Sequence, residues 1–269
     1  MEKNRILLII TVVLLLFVSV MVFTMGDRVR GIVDEATAEL KEVLAPEHYV
    51  RPANLTESPD AAWAELQRGN ARFLTGEKVE RNWAELREHH ATGQWPFVSF
   101  VTCSDSRFAP EVIFDQGIGD VFIVRTAGNV VDGIALGSLE FSVNALGTPL
   151  IVVLGHEGCG AVYSTVDAKK GTLVLPPGFK PDKLMYVVEE VTPAAERAIA
   201  TEKTGVDLRE YATRVNVEVV ATEIIKNAFG IREAIKAGDV VLLGAKVMFD
   251  GTVVELFRVD AVNVDEFIS

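Results

Sequence analysis

The chain has 269 residues, 49% of them hydrophobic, which is material for one sizeable α/β domain plus an N-terminal extension and requires no second domain. Its formal charge of −12, from 26 Lys and Arg against 38 Asp and Glu, comes without any basic cluster, so nucleic acid and anionic surfaces are poor partners for the domain. A small neutral substrate is compatible with that balance.

The chain opens with Lys3 and Arg5, followed by the twenty uncharged residues Ile6 to Met25. That length suffices to span a bilayer. A cleaved signal would carry a shorter apolar stretch and a small-residue cleavage site, and no clear Ala-x-Ala precedes Gly26. Residues 1–26 are therefore read as a transmembrane anchor or signal peptide, with the uncleaved anchor favoured. The positive flank predicts the N-terminus inside and the following domain exported or extracytoplasmic, such as periplasmic, although Arg28 and Arg30 pull the other way. A core helix would need a polar face, which this segment lacks.

Residues 27–57 read as an amphipathic helix over 29–44 and then a linker marked by Pro46, Pro52 and Pro59. The domain is expected over 58–269. Ser58-Pro59-Asp60 opens a helix with Pro at its first position, running through Trp63, Leu66 and Phe73. His89 and His90 close a second helical stretch beginning at Trp83, where they are simplest as cations favouring the helix dipole; a proton-shuttle role is the sharper alternative.

Apolar strand patterns at 97–102, 120–125, 150–154 and 239–243 then alternate with helical ones near 133–146, 159–168, 183–202 and 207–228. Alternation implies an α/β fold with a mainly parallel sheet flanked by helices. The run Thr252 to Val259 follows the turn signal Asp250-Gly251 and is expected to add antiparallel as the last strand, an edge that could pair across a dimer. Phe122 and Phe141 are assigned to packed strand and helix faces. Gly171 to Asp182, with three prolines, is a loop.

Both cysteines lie in two glycine- and charge-rich segments: Cys103-Ser104-Asp105-Ser106-Arg107 and Gly155-His156-Glu157-Gly158-Cys159-Gly160. One thiolate, then an imidazole and a second thiolate three residues apart, form a ligand set suited to zinc, leaving a fourth position for water as in a catalytic site. Each segment follows a short apolar run, so each lies past the C-terminal end of a strand, where parallel sheets bind ligands. A disulfide is the competing reading. It would need neither the charged residues beside Cys103 nor the glycines around Cys159.

These segments, together with Phe114-Asp115-Gln116-Gly117, Val124-Arg125-Thr126-Ala127-Gly128-Asn129 and Gly244-Ala245-Lys246-Val247-Met248-Phe249-Asp250-Gly251, resemble the β-class carbonic anhydrases over roughly residues 60 to 260. The resemblance implies one zinc ion per chain on Cys103, His156 and Cys159, a catalytic dyad of Asp105 and Arg107, and substrate contacts from Gln94 and Gly160. It also places Phe122 and Phe141 near an apolar carbon dioxide pocket, and implies a homodimer or higher homo-oligomer embraced by the N-terminal helices. Some relatives close the site by placing the aspartate on zinc and often carry Trp three residues before the first cysteine; this chain has Phe100, which favours an open site.

The implied reaction is reversible hydration of carbon dioxide to bicarbonate and a proton by zinc-bound hydroxide. Asp105 would accept a hydrogen bond that orients the nucleophile, and the planar fork of Arg107 would keep that carboxylate ionised. Alternatives are hydrolysis of carbonyl sulfide or carbon disulfide at the same site, or a membrane-attached zinc or bicarbonate sensor without turnover.

Overall fold

A computed structural model of the chain describes residues 13, 31–36, 51–179 and 182–268. The chain divides into two compact units, Met1–His48 and Tyr49–Ser269. In the first, Val13 and residues 31–36 are helical. The apolar segment Ile6 to Met25 lies outside the described residues except for Val13, and among the described residues no helix is long and apolar enough to cross a membrane.

The second unit begins earlier than the expected boundary at Ser58. Leu55, in a 3-10 turn at Ala53–Thr56, is buried, and Arg51 donates to the Trp95 carbonyl (2.9 Å) and to Asp120 (3.3 Å). The prolines that mark a linker in the sequence bracket a turn whose one buried side chain enters the core. Helix α1 (Pro59–Thr75) forms as expected: the Ser58 hydroxyl accepts the Ala61 N–H at 3.2 Å, Pro59 supplies a preset φ, and Gly76 ends the helix at φ 77°. Helix α2 (Trp83–His89) follows, with His89 in its last turn.

Five strands, β1 (Val98–Cys103), β2 (Val121–Thr126), β3 (Leu150–His156), β4 (Val241–Val247) and β5 (Val253–Val259), form one sheet of order β2-β1-β3-β4-β5. The first four are parallel and β5 is antiparallel to β4. Between them lie α3 (Pro110–Ile113), α4 (Gly133–Asn144), α5 (Gly160–Lys169), α6 (Leu184–Ile199), α7 (Gly205–Asn227) and α8 (Phe229–Ala237).

Strand alternation divides the core into two layers. Phe100, Val152, Leu154 and Leu243 face one side with Trp63, Leu66 and Phe114. Val101, Ile151, Val153 and Leu242 face the other, against Leu139 of α4, Val217 and Ile224 of α7, and Ile231 of α8. Helix α8 was not expected: Ala228 breaks the α7 pattern with φ −106° and ψ 89°, and no proline marks that break in the sequence. Phe122 and Phe141 do meet, with ring centroids 6.4 Å apart, but Phe141 is 51% exposed because β2 is an edge strand.

Close packing of α1 against the chain after α3 depends on Gly69. A Cβ there would lie 1.8 Å from the Phe114 carbonyl oxygen, a backbone atom that cannot rotate away. Gly69→Ala is expected to cost about 1–3 kcal/mol or more through overpacking. A melting temperature equal to that of the unsubstituted chain would contradict this packing.

Candidate metal centre

Because β1 pairs with β2 on one side and β3 on the other, the loops leaving β1 and β3 diverge, and the crevice between their C-terminal ends is where an α/β sheet opens a site. Cys103 is the last residue of β1 and His156 the last of β3. The turn at Glu157-Gly158 then returns the chain so that Cys159 caps α5, without using its side chain as a cap. The ligand atoms of Cys103, His156 and Cys159 lie within 4.8 Å of one another, and all three residues are buried. Both cysteines are free, which removes the disulfide reading.

The donor set fits a cation. His156 Nδ1 stands 2.8 Å from the Glu157 carbonyl, which can only accept, so Nδ1 carries the proton and Nε2 presents its lone pair inward. That Nε2 is buried without a hydrogen-bond partner. An imidazole nitrogen left so costs about 1–3 kcal/mol, which coordination of a metal would offset. The Gly128 N–H donates to Cys103 Sγ at 3.3 Å; the neighbouring Cys159 thiol foremost, then His156 and this N–H, draw Cys103 towards the thiolate against burial, which pushes the other way. The Cys103 sulfur beside it and burial push the Cys159 thiol up; on binding a metal each thiol would release its proton to solvent and coordinate as the thiolate. Two soft thiolates and one borderline imidazole match zinc.

Asp105 and Arg107 sit on the loop after β1. Arg107 Nε and Nη2 donate to the two oxygens of Asp105 at 2.9 and 2.7 Å, and the Arg107 backbone N–H adds a bond at 3.0 Å. These donors, the Arg107 side chain first, hold the Asp105 carboxyl down at about 2. Asp105 Oδ2 lies 4.0 Å from His156 Nε2, beside the ligand cluster. The guanidinium of Arg107 lies over the rings of Phe249 and Phe108 at 4.9 and 5.6 Å, and Phe108 packs on His156 at 4.6 Å.

Several supporting residues were not assigned roles from the sequence. Arg125, at the end of β2, donates to the carbonyls of Cys103, Asp105 and Phe108 at 3.1, 2.7 and 3.2 Å, fixing the loop that carries the dyad. Asn216 of α7 holds the Gly128 carbonyl at 2.8 Å. Phe249 stands in the turn after β4 and donates its N–H to Glu157 at 2.8 Å. An arginine closing an apolar strand was the one readable signal; the others depend on contacts across the sheet.

Gly160 begins α5, with open space where a side chain would project. Gln94 is exposed in the loop before β1, at the opposite end of that strand from Cys103. Six residues of strand separate those ends by roughly 17–20 Å, so within one chain Gln94 does not reach the cluster. The rings of His89 and His90 lie tilted against Trp95, with centroids at 5.6 and 5.7 Å, in that same region before β1.

A parallel α/β sheet with a buried Cys-His-Cys centre at its switch point, and an ionised aspartate held beside it, defines a metalloenzyme acting on a small molecule. The family described as carbonic anhydrase matches residues 98–253. Carbonic anhydrase 2 of Mycobacterium tuberculosis is 40% identical over 195 residues, covering 72% of this chain and 90% of that protein. The β-carbonic anhydrase CcaA has the same fold, with a TM-score of 0.58 at 23% identity over 77% of this chain and 98% of its own. One of two tetrameric β-carbonic anhydrases from Sordaria macrospora superposes with a TM-score of 0.52 at 25% identity, covering 73% of this chain and 92% of that one. The chain belongs to the β-class carbonic anhydrase family.

Gly158 has φ 64°, and a Cβ there would lie 2.7 Å from the Phe249 ring. Gly158→Ala is therefore expected to destabilise the turn by about 1–2 kcal/mol and to lower zinc content after dialysis against a weak chelator. Undiminished zinc retention would show that the turn does not need this conformation.

Proposed function

We propose that this protein is a carbonate dehydratase, interconverting carbon dioxide and bicarbonate at a zinc ion held by Cys103, His156 and Cys159. The observation that carries the reading is the convergence of these three buried ligand atoms, with an unpartnered His156 Nε2, beside the Asp105–Arg107 pair. Zinc supplies Lewis acidity, which makes water a nucleophile near neutral pH.

The chain's own residues do the rest. Asp105, ionised well below neutral pH, can only accept hydrogen bonds, so it orients an attacking water and does not donate to it. Arg107 fixes both carboxylate oxygens, which restricts the direction from which that bond can come. Phe108 and Phe249 present apolar surface next to the dyad, suited to an uncharged, weakly hydrated substrate.

Assembly into a homo-oligomer is part of the proposal. It is supported by the similarity to the tetrameric Sordaria enzymes and by exposed apolar side chains on the edge strand β5 (Val254) and on α4 (Ile134, Phe141). Gln94 could contact substrate only in another subunit's site. The uncharged stretch Ile6 to Met25 behind Lys3 and Arg5 further supports a membrane-anchored enzyme with its catalytic domain outside. An alkaline phosphatase fused after residue 269, which becomes active only where its disulfides form outside the cytoplasm, should be active; a full-length but inactive fusion would contradict that orientation.

Stopped-flow hydration of carbon dioxide should be fast and zinc-dependent, and Asp105→Ala should lower it by about 10²-fold or more with zinc still at one per chain. Unchanged turnover would refute the role of Asp105. A zinc-loaded wild type without hydration would redirect the assignment to carbonyl sulfide, carbon disulfide or a binding role.

A further inference from the structure

We infer that Glu210 of α7 is a positioning residue for zinc: it grips the turn that carries His156 and Cys159. The inference rests on the zinc reading above and adds to it a residue that touches neither metal nor substrate.

Residues 210, 213 and 217 form one stripe along α7. At one end of this stripe, Val217 packs so tightly on Gly155 that a Cβ there would lie 2.6 Å from it. At the other end, Glu210 Oε1 accepts the N–H of Gly158 at 2.8 Å and the hydroxyl of Tyr163. Its second oxygen takes Lys246 Nζ from β4. Gly158 immediately precedes Cys159, and Tyr163 lies on the first turn of α5 just beyond it. The carboxylate thus ties down both sides of the second cysteine. Lys246 precedes Val247, whose carbonyl accepts the Glu157 N–H at 2.8 Å, so the same strand also holds the residue after His156.

A surface ion pair would not need this arrangement. Lys246 and Glu210 are mostly enclosed, with side chains 11% and 21% exposed. Burial works to raise the Glu210 pKa, yet donors from Lys246, Tyr163 and Gly158 overcome it and hold the group ionised. The Gly158 N–H, which lies ahead of α5 and outside its capping bonds, is satisfied by Glu210, and this fixes the left-handed Gly158 that aims Cys159 at His156. Cys103 reaches the cluster from β1 and receives nothing from Glu210.

The test compares two charge-matched double variants of the zinc-loaded full chain. Glu210→Gln with Lys246→Met keeps a carbonyl oxygen for the Gly158 N–H, whereas Glu210→Leu with Lys246→Met removes it at similar volume. Zinc affinity by chelator competition should fall about 10- to 100-fold in the leucine variant and stay within about threefold of wild type in the glutamine variant. Equal zinc affinity in the two variants would reduce Glu210 to an ordinary ion pair and overturn the inference. Should the leucine variant fail to fold, hydrogen exchange on the wild type decides: strong protection of the Gly158 amide supports the contact, and free exchange overturns it. A wild type that binds no zinc overturns the zinc reading itself, and does so before any variant is compared.

Discussion

Parallel pairing of β1 with β3, from Ser99 opposite Ile151 to Thr102 opposite Leu154, determines where the first thiol and the imidazole end. Parallel strands run in step, so a cysteine at the end of one and a histidine at the end of the next emerge at the same edge of the sheet. A slip of one residue in either strand would turn that ligand to the other face. Two apolar layers prevent such a slip, because Phe100, Val152 and Leu154 fill one side and Val101, Ile151 and Val153 the other. The metal centre therefore inherits its precision from a hydrophobic register, and its chemistry from residues just beyond that register.

Charge at the site is local. The chain is strongly acidic, yet around the thiols the loops are organised by Arg107, Arg125 and Lys246, each meeting a carboxylate or backbone carbonyl. Fixed donors of this kind let Asp105 remain ionised beside two potential thiolates. Among the described residues Arg125 pairs with no carboxylate and spends its donors on three carbonyls, so it shapes the loop without cancelling the charge of Asp105.

Much of this was legible in the sequence where one residue's chemistry or one strand's period decides the outcome. The four parallel strands, the antiparallel last strand, the Ser58-Pro59 helix start and the cysteine-histidine cluster are of that kind. What was not legible depends on partners distant in the chain. Glu210 is one of several acidic residues in a long mixed helix, and only its placement against Gly158 distinguishes it. Among linker-like prolines, Leu55 joins the core and Arg51 bonds to Trp95 and Asp120, both far along the chain. Gln94 shows the converse: its separation in sequence from Cys103 is short, but a strand between them is a rigid spacer.

The long reach of the groups that hold the zinc turn also sets an order of events during synthesis. All three ligands have been made by Cys159, but Glu210 meets Gly158 across 52 residues and Phe249 meets Glu157 across 92. A chain emerging from its N-terminus exposes both thiols and the imidazole well before α7 and β4 exist to fix them. Full-affinity metal capture is thus a late step, completed once the last parallel strand has docked and closed contacts of high sequence separation.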